Sequence, residues 1–185
     1  MKEVTFLDAI NHTLEFILEN NSKSFLLGEN IGEHGGAFGV TRGLWKKFGS
    51  NQVIDMPISE NSFMGMAIGS SLVGYKPIVE IMFIDWITLA MDQIINIAAK
   101  MYYTSGGQFH VPLIIRAPQG GGGRKGTAAN HSQSFESLFM NIPGLKIVFP
   151  SNAYDAKGLL LSSFPLRIDE YLKSRMCLAV CFCLK

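Results

Sequence analysis

Cysteine is missing from the first 176 residues, and the three present (Cys177, Cys181 and Cys183) all fall within the last nine. A thiolate metal site needs CxxC-like pairs and a fourth ligand, which Cys181-Phe182-Cys183 does not supply. A disulfide framework confined to one end of a chain with no secretory features is equally disfavoured. The cysteines therefore mark a tail of different origin from the body. Charge of one sign is missing too: 16 basic against 15 acidic residues leave a net charge of +1, which gives no electrostatic pull toward nucleic acid or an anionic membrane. No apolar run reaches the roughly 20 residues that span a bilayer. The start Met1-Lys2-Glu3-Val4 lacks the apolar core of a secretory signal, so the expected setting is the cytoplasm. Neither GxSxG nor HExxH occurs. Gly121-Gly-Gly-Arg-Lys-Gly126 formally satisfies GxGxxG, but it opens no helix and no suitably placed acidic residue follows. Lys125 precedes Gly126 instead of Ser or Thr, which excludes a phosphate-binding P-loop.

What is present is a packed domain: 185 residues, 48% hydrophobic and 17% charged, suit one substantial core. Apolar residues at Phe6, Ala9, Ile10, Leu14, Ile17 and Leu18 predict a helix. Strands are expected at Ser24–Gly28, 51–55, 77–83, 111–116 and 146–149. Helices are expected at Leu44–Phe48, 60–73, 86–103, 135–140 and 153–162. Their alternation predicts an α/β fold, a three-layer, mostly parallel sheet with helices on both faces. Ligands of such sheets sit at the carboxyl ends of the strands, where Glu29, Glu60, Asp85 and the loop 118–130 lie. In the helix over 86–103, Asp92, Asn96 and Lys100 form a polar row on an otherwise apolar surface, one suited to the core or to a partner subunit.

The densest signal is Ile54-Asp-Met-Pro-Ile-Ser-Glu60. Pro57 stops a strand, Ser59 is a good N-cap, and Glu60 falls in the first helical turn. A carboxyl group there can act as a charge, a proton donor or a complement to the helix dipole, the last worth only ~0.3–1 kcal/mol. His12 reads as a polar helix residue, and His34 and His110 as surface loop residues. His131 differs, because it closes a glycine-rich loop at a strand's carboxyl end, where a titratable ring can reach a ligand.

Ordered blocks then accumulate: Gly28-Glu29, Gly36-Ala-Phe38, Thr41-Arg-Gly-Leu44, Asp55-Met-Pro-Ile-Ser-Glu60, Ala90-Met-Asp-Gln-Ile-Ile-Asn96, Ser105-Gly-Gly107, His131-Ser-Gln133, Pro143-Gly-Leu-Lys146 and Asp155-Ala-Lys-Gly158. The set resembles the β subunit of the E1 component of 2-oxoacid dehydrogenase complexes, and within it the N-terminal, transketolase-like pyrimidine-binding domain. The resemblance implies thiamine diphosphate as cofactor, with pyruvate, acetoin or a branched-chain oxoacid as substrate. It implies that Glu60 hydrogen-bonds N1′ of the cofactor's aminopyrimidine so that the thiazolium C2 can lose its proton. That task suits a carboxyl group raised by partial desolvation, with Ile58, Phe63 and Met82 as apolar neighbours. It further implies that Trp86 packs on the pyrimidine, that Ile58 and Met82 line its pocket, that Glu29 joins a carboxylate relay, and that His131 handles protons beside the substrate. The chain lacks the Gly-Asp-Gly segment and following Asn that hold the diphosphate and its Mg²⁺. The family places these on an α subunit, so an α2β2 heterotetramer is implied, with the helix over 86–103 part of the contact. The setting becomes a bacterial cytoplasm or an organelle matrix.

The resemblance covers residues 1–163 and breaks at Phe164, leaving 164–185 as a divergent tail in place of a C-terminal transketolase domain. Docking to the lipoyl acyltransferase core is then expected to be lost. Leu113 matches one backbone ligand of a structural K⁺, but the remaining ligands do not align, and no metal ligand is assigned. Two alternatives stand beside the β-subunit reading. One is a folded fragment that binds without catalysis; the other is a different transketolase-like enzyme, which the missing Gly-Asp-Gly half and the His131-Ser-Gln133 block disfavour.

Overall fold

The computed structural model describes residues 4–120, 129–164 and 177–179. Among the described residues the centre is a six-stranded sheet in which every pairing is parallel. The strands are β1 (Ser24–Gly28), β2 (Val53–Asp55), β3 (Lys76–Glu80), β4 (Ile114–Arg116), β5 (Lys146–Val148) and β6 (Cys177–Ala179), in the order β2-β1-β3-β4-β6-β5. Alternation along the strands separates two cores. Leu26, Val53, Ile78 and Ile114 share one register layer, and they pack with α1 (Phe6–Asn20) and α6 (Ala153–Ser163). Leu27, Val79 and Ile115 point the other way, into a cluster with Phe63, Met64 and Ala67 of α3 (Glu60–Leu72) and with Ile84, Ile87 and Ile94. Strands buried on both faces read as continuous apolar runs, which is why Ser24–Gly28 was legible from sequence at both ends. The three-layer α/β architecture is as expected.

Local chemistry sets the helix starts. The Thr5 hydroxyl accepts the Asp8 N–H at 3.1 Å and caps α1, and Asn152 caps α6 through the Asp155 N–H at 2.8 Å. At α3 the expected cap is not made. Ser59 has φ −164° and ψ 72°, makes no side-chain cap, and donates its hydroxyl to Ser62 Oγ at 2.7 Å. The first turn of α3 therefore leans on backbone bonds from the Ser62 and Phe63 N–H groups to the Ser59 carbonyl.

The long helix expected over 86–103 is broken into pieces. A 3₁₀ segment spans Ile84–Ala90, a π turn spans Gln93–Ala98, and α4 covers only Met101–Thr104. The cause is visible at Ala99, whose N–H donates to the Ile94 carbonyl at 2.9 Å, five residues back. The polar row survives the break: Asn96 donates to Asp92 at 2.8 Å and Lys100 to Asn96 at 2.9 Å. β4 begins later than expected because the Leu113 N–H turns back to the Val111 carbonyl at 2.9 Å instead of joining the ladder. The short helices α2 (Leu44–Phe48) and α5 (Glu136–Phe139) lie where periodicity put them.

Beyond the expected boundary, Phe164 is buried in the core shared with α1, and the Lys76 ammonium lies 5.4 Å from its ring centroid. Residues 177–179 then supply β6, wedged between β4 and β5. The rest of the 164–185 tail lies outside the described residues, as does 121–128 of the glycine-rich loop. Among the described residues no helix is long and apolar enough to cross a membrane.

Candidate functional site

The carboxyl ends of β1 to β4 open onto one rim of the sheet. β1 ends at Gly28, whose register partners are Asp55, Glu80 and, through Glu80, Arg116. Only glycine fits there, since a Cβ on Gly28 would lie 2.5 Å from the Glu80 carbonyl oxygen and 2.9 Å from its Cβ. The room goes to the Glu80 side chain, which is buried in an ion pair with the fully enclosed Arg116 guanidinium. Burial pushes the Glu80 carboxyl up, and Arg116 pulls it back.

One residue past Gly28, Glu29 is also buried, and its Oε1 has no hydrogen-bond partner. Burial holds this carboxyl above the usual range, and the charge of Glu60 raises it further. Glu60 stands at the start of α3 and is 6% exposed. The fold thus brings together two carboxylates that lie 31 residues apart in sequence. The loop after Glu29 is tied down on all sides. Gly32 N–H donates to Asp55 Oδ1 at 2.7 Å, the Thr41 hydroxyl to the Ile31 carbonyl at 2.7 Å, and the Asn11 amide to the Val40 carbonyl at 2.8 Å.

After β3 the chain passes half-buried Met82 and enters the turn carrying buried Asp85 and half-buried Trp86. His131 packs edge-on against two rings of that turn. Its centroid lies 4.6 Å from that of Phe83, at 79°, and 5.5 Å from that of Trp86, at 85°. Phe38, from the loop after β1, extends the row by packing on Phe83 at 5.4 Å. His131 Nδ1 lies 3.0 Å from Asn130 Oδ1. Gln133 donates to Asp85 Oδ1 at 2.7 Å, while the buried Asp85 Oδ2 has no partner.

The structure therefore gathers Glu29 with Glu60, and Trp86 with His131, on one rim. Ile58 departs from expectation. It is 85% exposed, because the bend between β2 and α3 turns it outward, so within this chain it does not desolvate Glu60. Phe63 is buried in the core and Met82 only partly covered. Phe38, Phe83 and Gln133 also belong to this rim and were not singled out as site residues. The signal that could have found two of them was block membership: Gln133 shares a block with His131, and Phe38 closes the block that follows Gly28-Glu29.

Residues 2–167 match the family model described as transketolase, pyrimidine binding domain. The chain belongs to this family. Over 161 residues it is 48% identical to the human mitochondrial pyruvate dehydrogenase E1 component subunit beta, covering 87% of this chain and 44% of that protein. Over 160 residues it is 46% identical to the 2-oxoisovalerate dehydrogenase subunit beta of Bacillus subtilis (strain 168), covering 86% and 48%. The pyrimidine-binding domain described here thus spans about half the length of the curated relatives it matches. Among solved structures, a split-gene transketolase described as an inactive beta4 tetramer superposes with a TM-score of 0.70 over 96% of this chain and 50% of its own. At 18% identity that likeness speaks to the fold alone.

Proposed function

We propose that this chain is the pyrimidine-binding part of the β component of a thiamine-diphosphate-dependent 2-oxoacid dehydrogenase. With an α subunit it takes part in the oxidative decarboxylation of pyruvate or a related 2-oxoacid and in acyl transfer to lipoyl. The observation that carries the reading is the buried Glu29–Glu60 pair at the carboxyl rim of a sheet whose sequence is close to that of E1 β subunits. Residues 1–163 form the cofactor-binding domain, and 164–185 remain a divergent tail that contributes β6. The reading places the protein in a bacterial cytoplasm or an organelle matrix, with Mg²⁺ and the diphosphate held mainly by the α chain.

The residues present fit an aminopyrimidine. Glu29 Oε1 and Asp85 Oδ2 are buried acceptors without a partner, and such groups are costly unless a donor arrives. Glu60 presents a carboxyl group able to share a proton with a ring nitrogen, and Trp86 offers an indole against a planar ring. Met82 and the outward-facing Ile58 supply apolar cover, Ile58 at the surface where a second chain closes the site. Bound thiamine diphosphate supplies the electron sink for decarboxylation; the protein supplies orientation and proton handling. Burial, and after it the charge of Glu60, raises the Glu29 carboxyl, which places a second proton-binding group beside Glu60. His131, packed against Trp86, serves as an acid or base beside the substrate.

The test is co-expression with a cognate α subunit and assay of thiamine-diphosphate-dependent oxoacid decarboxylation. Glu60→Gln is expected to lower kcat by ~100-fold or more while the complex still forms. Full activity in that variant sinks the role given to Glu60. A complex that forms yet never decarboxylates supports the non-catalytic alternative.

A further inference from the structure

The Asp85–Gln133 bond joins the turn after β3 to the segment after the glycine-rich loop. The same Gln133 accepts, through its backbone carbonyl, the Gly120 N–H at 2.9 Å, and the neighbouring Gln119 side chain accepts the Phe135 N–H at 3.3 Å. Both ends of the loop are thus clasped at one place. His131 stands two residues before Gln133, and its ring rests on Phe83 and Trp86, the aromatic residues on either side of Asp85. We propose that Asp85 and Gln133 are positioning residues that seat the His131 imidazole against Phe83 and Trp86, an assignment that rests on the proton-handling reading of His131.

Three features favour this over a purely architectural bond. Edge contacts between rings leave the imidazole able to slide, so something must fix where the segment sits along the Phe83–Trp86 pair. A carboxylate acceptor makes the Gln133 bond charge-assisted and therefore directional. Asp85 leaves Oδ2 without a partner, so a buried carboxylate is kept here although half of its bonding capacity is unused by the fold.

The experiment needs no cofactor. The chain has four histidines, so their ring C–H resonances in a ¹H–¹³C spectrum can be assigned by single substitutions. His131, set between two aromatic rings, is expected to be displaced by ring currents, and His131→Ala identifies its signal. Gln133→Ala and Asp85→Ala are each expected to remove most of that displacement. Asp85→Asn, whose Oδ1 can accept the same bond without the charge, is expected to restore part of it. Unmoved signals from His12 and His34 show that the fold is intact in each variant. A His131 signal that stays in place in both Gln133→Ala and Asp85→Ala overturns the proposal. In the assembled enzyme, Gln133→Ala is expected to lower kcat by about tenfold or more with little change in KM, since displacing a proton-handling group costs turnover before binding. The two readings fail separately. Full activity in His131→Ala removes the role of His131, whereas an unmoved His131 signal removes only the positioning role.

Discussion

Two pairs of ionisable side chains are buried at adjoining strand ends, and they follow opposite rules. Glu80 meets Arg116 across β3 and β4, an attractive pair enclosed on all sides. Glu29 meets Glu60 across the end of β1 and the start of α3, a like-charged pair with a bare acceptor on Glu29. In the first arrangement each charge has its counter-charge within the chain. The second is incomplete, since two buried carboxylates cannot both ionise cheaply and one oxygen still lacks a donor. The contrast teaches where structure ends and chemistry begins on this rim. The oppositely charged pair holds β3 to β4 under the rim, and the like-charged pair keeps a bare acceptor on Glu29.

The sharpest way to break that contrast is to remove the counter-charge from the oppositely charged pair. Arg116→Leu leaves Glu80 buried without a partner and is expected to cost ~3–5 kcal/mol in urea unfolding. Adding Glu80→Leu to the same chain is expected to recover much of that loss, because the stranded charge is gone. A loss below about 1 kcal/mol in Arg116→Leu alone would show that the pair is not a structural lock.

Next in size is Gly28→Ala, which asks whether the two pairs are separated by close packing. The new methyl would meet the Glu80 backbone at 2.5 Å, a rigid neighbour. Overpacking of this kind is expected to lower stability by ~1–3 kcal/mol, read again from the urea midpoint. A neutral outcome would mean that the strands can part at this point, and that the Glu80 side chain does not depend on the glycine for its room.

How much of this was legible beforehand differs between the pairs. Glu60 was legible because Pro57 and the apolar run after it fix a strand-to-helix junction by local chemistry alone. Glu29 was legible as a residue following a buried strand. Neither Glu80–Arg116 nor Asp85–Gln133 could be read, because both depend on register and loop placement between segments 36 and 48 residues apart. The break-up of the helix over 86–103 was hidden for another reason. A change from α to 3₁₀ or π winding shifts each apolar residue by only a fraction of a turn, so hydrophobic periodicity looks much the same. β6 was hidden because three apolar residues in a tail carry no signal of their own; their partners, β4 and β5, lie far upstream. Ile58 misled because an apolar residue beside a buried carboxylate suggests cover, whereas the bend points it outward.

The smallest expected effect is also the most discriminating, because it tests the like-charged pair without any cofactor. The Glu29 carboxyl is raised above its ordinary value of 4.5, first by burial and then by Glu60. A raised folded-state value means that the native protein binds this proton more tightly than the unfolded chain does. The stabilisation from Glu29 is therefore full below about pH 4.5 and is lost as pH rises through the folded-state value. Glu29→Gln replaces the carboxyl with a group of similar shape that cannot ionise. Its Tm is expected to exceed that of the native chain at pH 8, and the gap should close as the pH is lowered toward 4.5. In the Glu60→Gln background the benefit should shrink, since Glu60 is the second cause of the shift, but it should not vanish, since burial is the first. A benefit of equal size at every pH would mean that the substitution acts through packing, and the rim would then hold two independent carboxyl groups instead of one coupled pair.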